Sequence, residues 1–144
     1  MNSNKKSARI MDDVKINVKM KLSALWVAVM LCYIYGDLFG FYKPGHIEEI
    51  TAGEVPLGSQ ISLVGAAILM TIPAIMVFLS LTLKAKANRL ANIILGIIYT
   101  GVMLFTVLLP GAWAYYIFLG IVEVVLTVLI VWSAWKWPKQ EGQP

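Results

Sequence analysis

The sequence predicts an all-α fold, an integral-membrane up-down bundle of four helices with N- and C-termini both cytoplasmic. Three observations carry this reading. Of the 144 residues, 59% are hydrophobic and 14% charged, whereas soluble domains are about half apolar and about a quarter charged. The apolar residues fall into four blocks of about twenty, the length that crosses a hydrocarbon core of about 30 Å at a helical rise of about 1.5 Å per residue. Lysine and arginine are concentrated in alternate flanks, the pattern that orients membrane helices. In lipid an open-ended segment satisfies its own backbone only as a helix.

Residues 1–21 read as a cytoplasmic N-terminal segment, 22–135 as the spanning domain and 136–144 as a cytoplasmic tail. The first nine residues are expected to be disordered. Asp12 is placed to cap a short helix whose Ile10, Met11, Val14 and Val18 share one arc beside lysines, suited to an anionic membrane surface. The same chain alternates apolar and basic from Val14 to Leu22, so an extended conformation stays open. The first span covers 22–42. A secretory signal would have a shorter basic head and an apolar centre of about 7 to 15 residues, whereas here a 21-residue polar head precedes a longer block that contains Asp37. This block is therefore expected to be retained as a helix.

The external connection 43–60 opens on Pro44-Gly45 and closes near Pro56 and Gly58. Between them, His46 to Gly53 has the spacing of a short amphipathic helix with Ile47 and Ile50 toward the bundle and Gly53 as its C-cap. The second, third and fourth spans cover 61–83, 90–109 and 115–135. Their short connections make them antiparallel neighbours. Lys5, Lys6, Arg9, Lys15, Lys19 and Lys21 precede the first span; Lys84, Lys86 and Arg89 lie in the second connection; Lys136 and Lys139 lie in the tail. The other two connections hold only Lys43, so every basic cluster falls on one side if the helices alternate. That side is the cytoplasm. Aromatic belts agree, with Phe41, Tyr42, Trp113, Tyr115 and Tyr116 outside and Trp132, Trp135 and Trp137 inside. The partner this implies is the lipid bilayer. Nucleic acid is not expected, because the basic residues flank apolar blocks instead of forming a polar face.

Two carboxylates lie within the spans, Asp37 and Glu123, and each costs about 2.5 kcal/mol or more if ionised near the midplane. Both belong to the outer half. One polar cavity could hold them, with Tyr33 one turn below Asp37 and Thr127 one turn below Glu123. Like charges in low dielectric resist joint ionisation, which suits proton exchange or cation binding. The competing reading is structural: Asp37 reaches the interface and Glu123 hydrogen-bonds across the bundle. Gly36 and Gly40 form a small-xxx-small face for close helix packing, within the bundle or between copies. Pro73 near the centre of the second span predicts a kink and frees the Leu69 carbonyl. Asn92, Gly96 and Tyr99 form a polar or small stripe expected to contact other helices.

No cofactor or metal is implied. The single His46 beside Glu48 and Glu49 lacks the ligand number of a zinc site, and paired-histidine haem ligation is excluded. The single Cys32 rules out an intrachain disulfide and reads as packing. The bundle contains no serine, histidine and acid set, so the protein reads as a non-enzyme. A membrane enzyme acting on a quinone or lipid would need an acid and base pair with a cleft, and only the carboxylates are present.

The run from Lys15 to Leu22, Leu25-Trp26 and Cys32 to Asp37, with YKPGH at Tyr42 to His46, Ile72 to Ala74, Met76 to Ser80, NRLANII at Asn88 to Ile94 and VWSAWKWP at Val131 to Pro138, resembles a bacterial family of uncharacterised four-helix membrane proteins, a domain of unknown function. The resemblance covers nearly the whole chain. It implies the four-helix topology and a bacterial cytoplasmic membrane, and sets Asp37, Pro73 and Glu123 on matching stretches without giving them roles. Two functions fit: a small proton- or solute-binding, transporter-like protein acting as a homo-oligomer, and a noncatalytic accessory or scaffold subunit that binds lipid or another membrane protein.

Overall fold

The computed structural model describes residues 15–55 and 58–137. Four long helices, α1 (Val18–Gly40), α3 (Gln60–Thr82), α4 (Ala85–Val107) and α5 (Ala114–Trp135), each meet the length and hydropathy of a membrane span. A fifth, α2 (His46–Ala52), lies in the first long connection. The fold is all-α among the described residues, as the sequence predicts, with α1 and α4 extending past their apolar blocks at the basic end.

Local capping explains the boundaries. Asn17 accepts from the Lys19 amide at 2.9 Å and starts α1 four residues earlier than the apolar block. Lys15 to Asn17 are not helical, and Val18 belongs to α1 itself. The expected interfacial helix around Asp12, Ile10, Met11 and Val14 lies outside the described residues. Ser59 and Ser62 form a reciprocal capping box at the start of α3. Helix α4 begins at Ala85, so Lys86 and Arg89 occupy its first turns and not a loop.

Cross-helix contacts fix the topology. Lys19 Nζ donates to the Leu81 and Leu83 carbonyls at 3.2 and 2.8 Å, neutralising the carbonyl end of α3, and Ser23 Oγ donates to the Val77 carbonyl at 2.9 Å. These pairs step in opposite directions, so α1 and α3 are antiparallel. The same holds for α3 and α4, joined by Asn88 to Ser80 and by Tyr99 to Leu69. Trp26 and Tyr33 of α1 meet Asn92 and Tyr99 of α4 in ascending order, as parallel diagonal helices do. The described chain thus enters and leaves at one end, called here the basic end. Helix α1 packs between α3 and α5, and α4 packs along α5. Although α3 and α4 are antiparallel neighbours, α3 leans on α1 more than on α4.

The core at the basic end is polar as well as apolar. Around Leu22, Trp26, Val29 and Met76, Asn88, Asn92 and Ser80 are fully buried. Trp26 Nε1 donates to Asn92 Oδ1 at 2.7 Å, Asn92 Nδ2 donates to Asn88 Oδ1 at 2.6 Å, and Asn88 Nδ2 donates to the Ser80 carbonyl at 2.6 Å. Three helices are tied by one closed network. Along α4 and α5, two glycines permit close approach: a Cβ at Gly96 would sit 2.6 Å from Val131 Cγ2, and one at Gly120 would collide with the Val107 side chain.

Helix α2 ends as expected on Gly53, whose φ of 74° is the left-handed C-cap conformation. Its orientation differs from expectation. Ile47 is 54% and Ile50 38% exposed, and no residue of α2 is buried. The helix is held by its own termini and by a 3.1 Å contact of His46 Nδ1 with Glu49, which holds the Glu49 carboxyl below its usual range.

Asn92→Leu should cost about 2 kcal/mol in detergent thermal unfolding, since it orphans the Trp26 and Asn88 polar groups. Thr71→Ala, which removes only an exposed bond to the Ala67 carbonyl of its own helix, should change it by less than about 0.5 kcal/mol. Gly120→Ala should destabilise by about 1 to 3 kcal/mol through overpacking. Gly101→Ala, whose new methyl meets nothing within 4 Å, should be neutral or stabilising by up to about 1 kcal/mol. Equal effects at the two glycines would show that the α4 and α5 crossing is not set by Gly120.

Candidate functional site

Toward the end opposite the basic one, all four long helices line a cavity of about 100 Å³, room for several waters or one small solute. Tyr33, Gly36 and Asp37 reach it from α1, Leu69 and Met70 from α3, Met103 and Thr106 from α4, and Tyr116, Leu119 and Glu123 from α5. Asp37 stands three residues before the end of α1, is exposed, and forms the rim. Glu123 lies nine residues into α5 and is only 2% exposed, about 13 Å below the helix start at the helical rise. One carboxyl faces outward and the other is enclosed.

The polar groups inside are not mutually satisfied. Among the described residues, neither Tyr33 Oη nor Glu123 Oε2 has a hydrogen-bond partner, although both are buried. A buried polar atom left unpaired costs about 1 to 3 kcal/mol, so native structures keep few of them and each calls for a reason. Among the described residues that line the cavity there is no lysine, arginine or histidine. An ionised Glu123 would therefore have to be balanced by something brought in.

Thr127, one turn below Glu123, is fully buried but does not line the cavity. Its hydroxyl donates to the Glu123 carbonyl at 2.9 Å and accepts from Thr100 at 2.8 Å, stitching α5 to α4. The Leu69 carbonyl freed by Pro73 is not left for a ligand, because the Tyr99 hydroxyl donates to it. Helix α3 continues through Pro73. Gly36 lies against Leu119 and Gly40 against Tyr115 and His46 of the same chain. Cys32 lines the cavity beside Tyr33. His46 pairs with Glu49 on α2 and does not line the cavity.

Sequence reasoning missed Tyr116, Met103 and Thr106. The signals were there: Tyr116 is two turns from Glu123 on one face of α5, and Met103 and Thr106 continue the stripe of Asn92, Gly96 and Tyr99.

A four-span helical bundle with an enclosed carboxyl is the architecture of a multi-pass membrane protein. The particular family follows from the sequence: residues 10–143 match the model of the "Family of unknown function (DUF6326)", and the chain belongs to it. No curated protein and no solved structure matches the chain.

Glu123→Gln and Tyr33→Phe should each leave the unfolding midpoint in detergent unchanged or higher, because neither removes a made hydrogen bond and strained sites commonly give up stability for activity. Asp37→Asn at the rim should change stability by less than about 0.5 kcal/mol, and the Asp37→Asn, Glu123→Gln double variant should be additive. A clear loss in both single variants with non-additivity in the double would mark a coupled structural pair instead.

Proposed function

We propose that this protein resides in a bacterial cytoplasmic membrane with both ends cytoplasmic, and that it is a non-enzymatic, transporter-like protein that reversibly binds a proton or a small cationic solute at Glu123. The observation that carries the reading is the unpartnered Glu123 Oε2, enclosed beside the unpartnered Tyr33 hydroxyl in a cavity with an acidic rim. Asp37 concentrates cations at the mouth, and Glu123 exchanges charge below it with Tyr33 as the neighbouring hydrogen-bonding group. The lysine and arginine bias of the basic end supports the orientation. A cavity of about 100 Å³ confined to one end is a binding chamber and not a passage, so translocation requires movement of the bundle or assembly with further copies. Four helices seldom enclose a pathway alone.

The test is reconstitution of the full chain in vesicles containing a pH-sensitive dye, under an imposed potassium diffusion potential. Wild type should pass protons, alone or in exchange for a cation; Glu123→Gln should abolish the flux, and Asp37→Asn should lower it by about tenfold or less, as expected for a group that steers but does not bind. Infrared difference spectra across pH should show a carboxylic C=O band that disappears in Glu123→Gln. Flux that is the same in Glu123→Gln as in wild type would sink the proposal. Absence of flux and of the titrating band, together with a stoichiometric copurifying membrane partner, would favour the accessory-subunit reading.

A further inference from the structure

A second concavity lies on the lipid-facing side of the bundle, apart from the carboxyl cavity. It is an open groove of about 590 Å³ between α4 and α5, with Gly101 and Leu104 on one wall and Val128, Trp132 and Trp135 on the other. Each helix contributes about two turns. Gly101 makes the hollow: nothing lies within 4 Å of where its Cβ would stand. The one hydroxyl in the lining, that of Thr100, is already bonded to Thr127, so apart from the two indole N–H groups the groove offers its occupant apolar contact.

The charge at its end is equally specific. Lys136 Nζ stands 4.0 Å from the centroid of the Trp132 ring and Arg89 Cζ 6.0 Å from that of Trp135, so a cation rides on each of the two indoles that wall the groove. Among the described residues neither cation has a carboxylate within ion-pair distance. The described acidic residues, Asp37, Glu48, Glu49, Glu54 and Glu123, all lie toward the opposite end or in the connection there. Among the described residues, a second copy in the same orientation would therefore bring cations against cations. A phosphodiester supplies the missing charge, and the acyl chain attached to it supplies the apolar body.

We infer that this groove is a binding site for one anionic phospholipid, with an acyl chain along Gly101 and its phosphate held by Arg89 and Lys136. Basic clusters between membrane helices at the headgroup level are suited to this chemistry, and the Trp132 and Trp135 rings, 57% and 64% exposed, sit where indoles meet the headgroups.

The experiment uses the full chain, delipidated in a neutral detergent, titrated with dioleoyl phosphatidylglycerol or with dioleoyl phosphatidylcholine. Unfolding midpoint and native mass spectrometry are the readouts. Phosphatidylglycerol should raise the midpoint saturably and be retained at one molecule per chain, and phosphatidylcholine should do neither. The Arg89→Gln, Lys136→Gln double variant should bind about thirtyfold more weakly, as loss of two interfacial cations implies. Gly101→Phe, which fills the hollow from a position with free space, should lose the retained lipid while keeping the lipid-free midpoint. Equal stabilisation by both lipids, or unchanged retention in the charge variant, would overturn the inference; the latter remains decisive if Gly101→Phe does not fold. Retention in a folded Gly101→Phe, or cross-linking between copies through cysteines at Ile97 and Val128, would also overturn it, the last by assigning the groove to a second chain.

Discussion

Lipid offers no hydrogen-bond donors or acceptors, and the organisation of this bundle follows from how it meets that constraint. At the basic end the answer is closure. Asn92 accepts from the Trp26 indole and donates to Asn88, which donates in turn to the Ser80 carbonyl, so α1, α3 and α4 are bound through groups that have no alternative partner in the surrounding hydrocarbon. Dispersion between apolar faces would hold helices together without choosing a register, since lipid tails are as apolar as leucine. The amide network chooses it. With Trp26 fixed against Asn92, the Trp26 and Tyr99 rings meet edge to face at 5.7 Å, and Tyr99 is carried to the carbonyl left open by Pro73.

Helix α5 has no part in that network and is held differently. Gly96 and Gly120 bring the α4 and α5 backbones together, and the Thr100 to Thr127 bond lies between those two approaches. Small residues at a crossing let many weak contacts form along the whole interface. The same residues position Glu123, because the two turns of α5 between Gly120 and Thr127 are pinned from both sides while its carboxyl lines the cavity.

The spans were legible because hydropathy and charge report on the bilayer directly. Their ends were less so. Hydropathy marks the hydrocarbon, and a helix does not stop where hydrocarbon does: α1 starts at the Asn17 cap, and α4 absorbs Lys86 and Arg89, which looked like loop. The α2 helix was readable from Gly53 and the local spacing, but Ile47 and Ile50 were assigned a partner that seven residues in the first long connection do not reach. Apolar periodicity specifies a face and not what covers it. Likewise the carbonyl opposite Pro73 was correctly read as freed, while its capture by Tyr99 depends on a helix 30 residues away. Asn92 was visible in a stripe, but its bonds to Trp26 and Ser80 required knowing which helices are neighbours.

The contrast between the two ends bears on where chemistry resides. A sequence able to satisfy Asn88, Asn92, Trp26 and Ser80 completely at one end could equally satisfy a carboxyl at the other, or replace it with a leucine at no cost in packing. At the cavity it does neither: among the described residues Glu123 Oε2 and Tyr33 Oη are buried without partners, although Asp37, Thr106 and Tyr116 line the same cavity beside methionine and leucine. In hydrocarbon this is the expensive choice, and it is confined to a cavity large enough to admit a small guest. A structural role for Glu123 would be expected to show a hydrogen bond from that carboxylate to a neighbouring helix, as each amide of the basic end shows. Its backbone carbonyl, bonded to Thr127, already secures the turn. The side chain is thereby released from holding the bundle together, which is the condition under which a carboxyl inside a membrane is free to gain and lose a charge.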